Sequence, residues 1–113
     1  MTENSKSKFI SRTEEYVLLS VWRLKDHAYA VTVRKDLVET TSKTWAFGAL
    51  FVILNRLEKK GFLESRLSDP TPKRGGKSKR YYTLSSQGVK TLAEVKRVHS
   101  QVWAGTEDLP SAP

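Results

Sequence analysis

The residues of this sequence that could take part in chemistry are mainly cations, and they are concentrated in one interval. Between Asp69 and Glu94 no acidic residue occurs, whereas the interval contains Lys73, Arg74, Lys77, Lys79, Arg80 and Lys90. Lysine and arginine at this density are typical of contacts with phosphate, and Gly75 and Gly76 let a backbone approach a phosphate closely. The pattern predicts a nucleic-acid backbone as the partner of this interval, with a merely solvated basic loop as the alternative.

Little else in the sequence points to catalysis or to metal binding. The chain contains no cysteine, which excludes disulfides, thiolate metal sites and a cysteine nucleophile. The histidines His27 and His99 are far apart in sequence, and the neighbouring carboxylates Glu14 and Glu15 are expected on a solvated helix face. We therefore expect neither an enzyme nor a bound metal or cofactor, and a phosphoryl-transfer or hydrolytic enzyme is the weakest alternative.

The overall composition is that of one small basic domain. The chain has 113 residues, and 20 Lys and Arg against 12 Asp and Glu give a formal net charge of +8. Such a charge attracts polyanions over long distances, while the length allows a single hydrophobic core. The first residues lack the apolar segment of a signal peptide, and no run approaches the roughly 20 apolar residues that cross a bilayer. We expect a cytoplasmic protein without membrane contact.

Hydrophobic periodicity and capping signals divide the chain into four helices and two strands. Ser11 and Glu14 have capping-box spacing at the start of the first helix, and Gly61 is expected to end the third. Two strands form a hairpin with a long loop. The predicted helices span 11–25, 29–40, 45–60 and 85–103, and the predicted strands span 62–68 and 79–84.

The order of these elements is that of a winged helix-turn-helix. Three helices followed by a basic hairpin predict a mainly helical α+β fold, in which the third helix enters the major groove of DNA and the hairpin, or wing, touches the flanking backbone. We assign 9–84 to this winged-helix domain, 85–103 to a dimerisation helix, and 1–8 and 104–113 to disordered tails. The DNA-binding residues predicted for the wing are Lys73, Arg74, Gly75, Gly76, Lys77, Lys79 and Arg80.

The third predicted helix has one face for packing and one for a ligand. Phe47, Leu50, Leu54 and Leu57 form a core stripe, and the opposite face is small, polar and basic. Thr44 is the expected N-cap. Asn55 could pair with adenine and Arg56 or Lys59 with guanine, and a plain solvated helix end is an equally weighted alternative. The predicted DNA-contacting residues here are Lys43, Thr44, Trp45, Gly48, Phe51, Val52, Asn55, Arg56 and Lys59.

Surplus apolar surface on the first and last helices predicts a homodimer. The first helix is apolar on two sides, and the last repeats apolar residues with the spacing of a helix–helix seam. A two-fold dimer implies a pseudo-palindromic operator in double-stranded DNA. The alternative is that these residues complete one monomer core. The predicted dimer contacts are Val17, Leu18, Val21, Trp22, Leu92, Val95, His99, Val102 and Trp103.

Several segments together resemble the PadR family of winged-helix regulators. Ala28-Tyr29-Ala30 is similar to the family's turn between helices 1 and 2, and Gly48-Ala49-Leu50-Phe51 resembles an element of its recognition helix. The segment 57–63 resembles the junction between that helix and the wing, and 74–84 with Ser85 and Gly88 resembles the wing and the start of the dimerisation helix. Phe51 departs from the family's tyrosine, so the phosphate hydrogen bond of that hydroxyl is not expected.

The resemblance implies a sequence-specific DNA-binding repressor that a small molecule releases. Some PadR-family members respond to phenolic acids or planar aromatic drugs, so a small aromatic effector is an implied partner. Trp22 and Trp103 lie on helices that would line a dimer cleft, where their rings could stack on such a ligand. They are candidate effector-pocket residues, with a plain core or interface role as the alternative. The rival function is a winged-helix protein-interaction or adaptor module without DNA binding, for which a basic third helix and wing are unnecessary.

Overall fold

The computed structural model of the protein describes residues 10–68 and 78–112. The described part is mainly helical and carries one two-stranded antiparallel sheet, so the predicted order of three helices, two strands and a final helix is confirmed. A single 3₁₀ turn, Lys25–His27, follows the first helix. The elements are α1 (Arg12–Leu24), α2 (Ala30–Thr41), α3 (Phe47–Lys59), β1 (Leu63–Leu67), β2 (Arg80–Leu84) and α4 (Ser86–Trp103).

The helix ends follow the capping signals of the sequence, with one exception. Ser11 and Glu14 form the predicted capping box of α1, each side chain accepting the other's backbone N–H. Gly61 ends the α3 segment with a left-handed φ of 85°, a conformation that favours glycine. The prediction that Thr44 caps α3 is wrong, because the helix begins two residues later than expected and Ala46 occupies the N-cap position without a side-chain hydrogen bond.

The core lies where α1, α2 and α3 meet the base of the hairpin. Phe47 was expected in it, but as the first residue of α3 it is substantially exposed, whereas Ile53 is buried instead. Apolar side chains from every element except α4 contribute to the buried set. Its members are Val17, Leu18, Val21, Ala28, Val33, Leu37, Leu50, Ile53, Leu54, Leu57, Phe62, Leu63 and Tyr82.

Three residues predicted to form the dimer interface belong to this core. Val17 and Leu18 are fully buried and Val21 is 2% exposed, all within one protomer. They have no surface left for a partner, so their assignment to the dimer interface is wrong. The physical reason is that α1 is the central helix, packed against α2, α3 and the hairpin, so the face that carries these three residues is covered inside the domain.

The hairpin is fastened to the helical core through its second strand. β1 and β2 pair antiparallel with Leu63 opposite Leu84 and Leu67 opposite Arg80. The backbone N–H of Tyr82 also donates to the carbonyl oxygen of Ala28 at 2.8 Å, so the segment before α2 lies along β2. This hydrogen bond fixes the wing base relative to the helix-turn-helix. The connection 69–77 lies outside the described residues.

The start of α4 is fitted closely against the junction between α3 and β1. Ser85 is its N-cap, with its hydroxyl accepting from the Gly88 N–H at 3.0 Å. A Cβ on Gly88 would lie 2.2 Å from the Phe62 carbonyl oxygen, so only glycine permits this approach. Further along, α4 is exposed on most sides from Lys96 onward. The helix is therefore anchored at one end and free of its own domain at the other.

The sequence also predicts no membrane-spanning segment and disordered tails at both ends. No helix within 10–68 and 78–112 is long and apolar enough to span a membrane. Residues 104–112, predicted as part of a disordered tail, carry turn hydrogen bonds from the Thr106 N–H to the Trp103 oxygen and from the Leu109 N–H to the Thr106 oxygen. The N-terminal tail, 1–8, lies outside the described residues.

Candidate nucleic-acid interface

The outward face of α3 forms a continuous stripe. Gly48, Val52, Asn55 and Lys59 are exposed at i, i+4, i+7 and i+11, opposite the buried leucines of the same helix. Phe51 and Arg56 flank the stripe and are also exposed. The predicted DNA-contacting residues within α3 are therefore brought together on one surface, as their spacing required.

The stripe divides into an apolar half and a polar half. At the N-terminal end the side chains of Phe47, Phe51 and Val52 are 39%, 49% and 54% exposed, so three large apolar residues lie together on this surface. The rings of Phe47 and Phe51 have centroids 6.3 Å apart. Towards the C-terminal end Asn55 and Lys59 supply hydrogen-bonding and cationic groups. The sequence did not reveal this division, because the expected burial of Phe47 concealed the aromatic pair.

The turn before α3 is held by Arg34 of α2, which sequence reasoning missed. Its Nε donates to the Trp45 carbonyl oxygen at 2.6 Å, and its guanidinium carbon lies 4.8 Å from the centre of the Phe47 ring. The Trp45 indole donates to Thr41 Oγ1 at 3.0 Å and packs against the core. Trp45 is thus a structural residue of the turn, and its contact with DNA stays a prediction, while Lys43 is exposed in the same turn.

A buried carboxylate at the start of α1 is tied to the cationic end of α3. Glu14 is 3% exposed, which corrects the expectation of a solvated position. Its Oε2 accepts from Lys60 Nζ at 2.8 Å and lies 3.7 Å from an Arg56 guanidinium nitrogen. Burial raises the pKa of Glu14, but the Lys60 and Ser11 hydrogen bonds and the two positive charges outweigh it and bring the pKa below its ordinary value.

The same carboxylate limits what Arg56 offers to a ligand. Arg56 keeps about half of its side chain exposed, and together with Val52, Asn55, Lys59 and Lys60 it lines an open concavity on the α3 surface. A phosphate reaching that concavity would compete with Glu14 for Arg56, because the 3.7 Å ion pair is longer than a hydrogen bond. None of the ion pairs among the described residues includes Lys59, so Lys59 is the freer cation.

The base of the wing carries its own cluster of aromatic and cationic side chains. Lys79 Nζ lies 4.6 Å from the Tyr29 ring centre and 3.4 Å from its hydroxyl. The Tyr29 and Tyr81 rings are 5.3 Å apart, and the Arg66 guanidinium lies 5.1 Å from the Tyr81 ring centre. The first residues of the helix-turn-helix and the wing therefore share one charged surface. Sequence reasoning missed Tyr29 and Arg66, which only the fold brings beside the wing.

The predicted wing cations fall partly inside the described chain. Arg80 is exposed and donates to Ser65 Oγ at 2.9 Å, and Ser65 in turn donates to Glu58 of α3 at 2.7 Å. Glu58, the acidic residue of α3, is thereby turned towards β1 and away from the exposed stripe. The remaining predicted wing residues, Lys73, Arg74, Gly75, Gly76 and Lys77, lie outside the described residues.

The far half of α4 and one side of α1 present exposed apolar residues. Leu92 packs partly onto the protomer's own core and Val95 is half-buried, whereas Val102 is 71% exposed. The rings of His99 and Trp103 stack with centroids 5.7 Å apart. The members of the predicted dimer surface that remain exposed to a partner are His99, Val102 and Trp103 of α4 and Trp22 of α1.

Trp22 and Trp103, the residues of the predicted effector pocket, do not line a common cavity within one protomer. A shallow concavity beside Trp22 is completed by the 3₁₀ turn and β2, and Trp103 is not among its lining residues. The Lys25 ammonium lies 3.8 Å from the centre of the Trp22 ring. Over 10–68 and 78–112, no cluster of His, Asp or Glu could hold a metal ion.

Comparison with known proteins agrees with this architecture. A PadR-like transcriptional regulator from Bacillus cereus is 19% identical, with a TM-score of 0.70 over 89% of this chain and 93% of that one. A PadR-family transcriptional regulator from Eggerthella lenta is 24% identical, with a TM-score of 0.64 over 80% and 76% of the two chains. A Streptococcus transcriptional regulator is 21% identical, with a TM-score of 0.68 over 84% and 88%. At these identities the likeness shows a shared fold.

Sequence comparison supplies the family itself. No curated protein matches the chain. The family model described as "Transcriptional regulator PadR-like family" matches residues 18–94, which is more than half of the 113 residues. The matched segment runs from the middle of α1 into α4 and so includes α3 and both strands of the hairpin. The chain therefore belongs to the PadR-like family of transcriptional regulators, which bind DNA through a winged helix, and it is not an enzyme.

Proposed function

We propose that the protein is a homodimeric, sequence-specific repressor that binds a pseudo-palindromic operator in cytoplasmic DNA and is released by a small aromatic effector. The observation that carries the proposal is the exposed stripe of α3, Gly48, Val52, Asn55 and Lys59, on which no acidic side chain lies. Glu58 is held on the side of β1 by Ser65, so the stripe stays compatible with a polyanion.

In this proposal α3 lies in the major groove and the wing base contacts the flanking backbone. Asn55 and Lys59 face the base edges or the adjacent phosphates, and the exposed guanidinium of Arg80 contacts phosphate beside the groove. The cations of the wing loop, Lys73, Arg74 and Lys77, would add phosphate contacts beyond it. Lys79, anchored on Tyr29, positions the wing against the helix-turn-helix.

The homodimer rests on the far half of α4. Val102 and Trp103 are exposed on a helix whose first turn is fixed by Gly88, so the protruding end is held in a defined direction. Burying those side chains against a second copy would remove a large apolar surface from water, which stabilises a symmetric pair. Two copies of α3 related by a two-fold axis then face two half-sites of one operator.

Repression and its release follow from the same geometry. A dimer seated in two successive major grooves covers the DNA that a polymerase must use, and an aromatic ligand stacked between Trp22 of one protomer and Trp103 of its partner would change the spacing of the two α3 helices. Trp22 is already half-exposed beside a shallow concavity, as such a ligand requires.

Selection of bound duplexes from a random pool tests the DNA-binding part of the proposal. We expect enriched sequences with two inverted half-sites about one helical turn apart. Enrichment of a single half-site, together with a monomeric mass in light scattering at micromolar concentration, would contradict the dimer. A reporter gene behind the selected operator then tests repression, for which we expect lower expression with the protein than without it, and higher expression would contradict it.

A further inference from the structure

Three apolar side chains at the N-terminal end of the exposed α3 surface, Phe47, Phe51 and Val52, have no function inside the protomer. Phe51 and Val52 each leave about half of their side chain exposed, and Phe47 is exposed as well. All three lie in the first half of the recognition helix, the part that reaches deepest into a major groove. Large apolar groups in this position reduce the solubility of the free protein, so an interaction in the bound state has to account for them.

The aromatic pair is held in place before any ligand arrives. Arg34 joins the Trp45 carbonyl oxygen to the face of the Phe47 ring, and the Phe51 ring lies 6.3 Å from Phe47. Both rings have only two rotatable side-chain bonds, so little conformational freedom is lost when they bind. This arrangement suits a rigid apolar contact surface.

Gly48, between the two phenylalanines, is a second and independent pointer to a ligand. Glycine costs about 1 kcal/mol relative to alanine in a helix interior, and it disfavours the helix to a smaller extent in the first turn of α3, where Gly48 lies. A Cβ on Gly48 would meet nothing within 4 Å and the residue has no positive φ, so the fold of the protomer gives no reason for glycine here. A missing side chain at the N-terminal end of a ligand-facing stripe allows the helix backbone to approach a groove floor closely.

Resting on the proposed function, we infer that this half of α3 reads thymine. The apolar feature that base pairs present in the major groove is the C5-methyl group of thymine. Phe51 and Val52 pack on such methyl groups, with Phe47 supporting Phe51, and Gly48 sets the depth of approach. The operator half-sites therefore carry thymines opposite the N-terminal half of α3, and hydrogen-bonding residues such as Asn55 read the neighbouring positions.

Replacing thymine by deoxyuridine in a selected operator tests the inference, because this change deletes the methyl groups and keeps every Watson–Crick hydrogen bond. Burial of one methyl is worth about a fourfold change in affinity, so removal of two per half-site predicts a weakening of roughly tenfold or more for each half-site. A non-specific duplex with the same replacement measures any general effect of deoxyuridine. Equal affinity for the two forms of the operator would overturn the inference.

Variants assign the effect to the named residues. Phe51→Ala should lower the thymine-to-deoxyuridine affinity ratio towards that of the non-specific duplex, and Phe47→Ala should lower it to a smaller extent, because Val52 still contacts a methyl group in both variants. Val31→Ala, which removes an equally exposed apolar side chain from α2, should leave the ratio of the unchanged protein. An unchanged ratio in Phe51→Ala would refute the assignment, and a change in oligomeric mass instead would show that a second copy of the chain covers these rings.

Gly48→Ala separates a ligand-facing role from a structural one. Because alanine favours the helix and meets open space, we expect an unchanged or higher melting temperature together with operator binding weakened by about tenfold or more. A lower melting temperature, or unchanged operator binding, would contradict the inference. A protein that enriches no sequence at all from the random pool would instead refute the proposed function, which keeps the two failures distinct.

Discussion

The link between Glu14 and the end of α3 makes a quantitative prediction for Glu14→Gln. Glutamine has nearly the same shape and can keep the capping box with Ser11, so the substitution removes the negative charge and little else. It eliminates the charged hydrogen bond from Lys60 at 2.8 Å and the ion pair with Arg56 at 3.7 Å. The substitution thus isolates the electrostatic link between α1 and α3.

The magnitude follows from the exposure of the partners. A hydrogen bond to a charged group is worth about 1.5–3 kcal/mol when it is well shielded. Glu14 is buried, but the side chains of Lys60 and Arg56 are 35% and 49% exposed, so solvent weakens both interactions. We expect Glu14→Gln to lower the free energy of unfolding by about 1–2 kcal/mol, measured by urea denaturation near pH 7.

The adjacent residue supplies a matched control, and pH supplies the test of mechanism. Glu15→Gln changes the same chemical group without an ion pair among the described residues and should alter the free energy of unfolding by less than about 0.5 kcal/mol. Because the pKa of Glu14 is lowered on folding, its contribution is complete above the unfolded pKa near 4.5 and is lost as the pH falls through the folded pKa. The stability difference between the unchanged protein and Glu14→Gln should therefore shrink in acid. A stability difference that is absent at pH 7, or that grows as the pH falls, would contradict the electrostatic link between Glu14 and the end of α3.

Three further substitutions test other parts of the molecule. Gly88→Ala should lower the free energy of unfolding by about 1–3 kcal/mol in urea denaturation, because its Cβ would lie 2.2 Å from the Phe62 carbonyl oxygen, and unchanged stability would refute that packing. Arg80→Ala should weaken binding to all duplexes alike and flatten the slope of log K against log salt by roughly 0.9 for each phosphate that Arg80 neutralises, so a change in sequence preference alone would contradict a phosphate role. Val102→Lys should keep the helical content of the protomer in circular dichroism but yield a monomeric mass in light scattering, whereas a persistent dimer would remove the end of α4 from the interface.

The elements of the fold were predictable because local signals determine them. The Ser11 capping box, Gly61 and the Ser85 cap mark helix ends through interactions within a few residues, and these interactions exist whatever the rest of the chain does. The alternation of Leu63, Ser65 and Leu67 identified β1 in the same way.

The packing between elements was not predictable from local patterns. Glu14 is near Lys60 only because α1 crosses the end of α3, so a residue typical of a solvated face becomes buried and paired. Sequence periodicity shows that a helix face is apolar but not which surface covers it. For this reason the periodicity predicts Val17 and Leu18 as dimer contacts, although they lie in the core of the protomer. Phe47 departs from its prediction in the opposite direction, because its spacing fits the buried stripe but as the first residue of α3 it is substantially exposed.

Binding of the protein to a selected duplex over a series of salt concentrations, monitored by fluorescence anisotropy, tests whether α3 and the wing base contact DNA phosphates. Lys59 and Arg80 on each protomer would neutralise about four phosphates per dimer, so log K should fall linearly with log salt with a slope of about −3.6 or steeper. Lys59→Ala combined with Arg80→Ala should flatten that slope by about the same amount. Binding without salt dependence, or no binding to any duplex at low salt, would contradict DNA binding through α3 and the wing base.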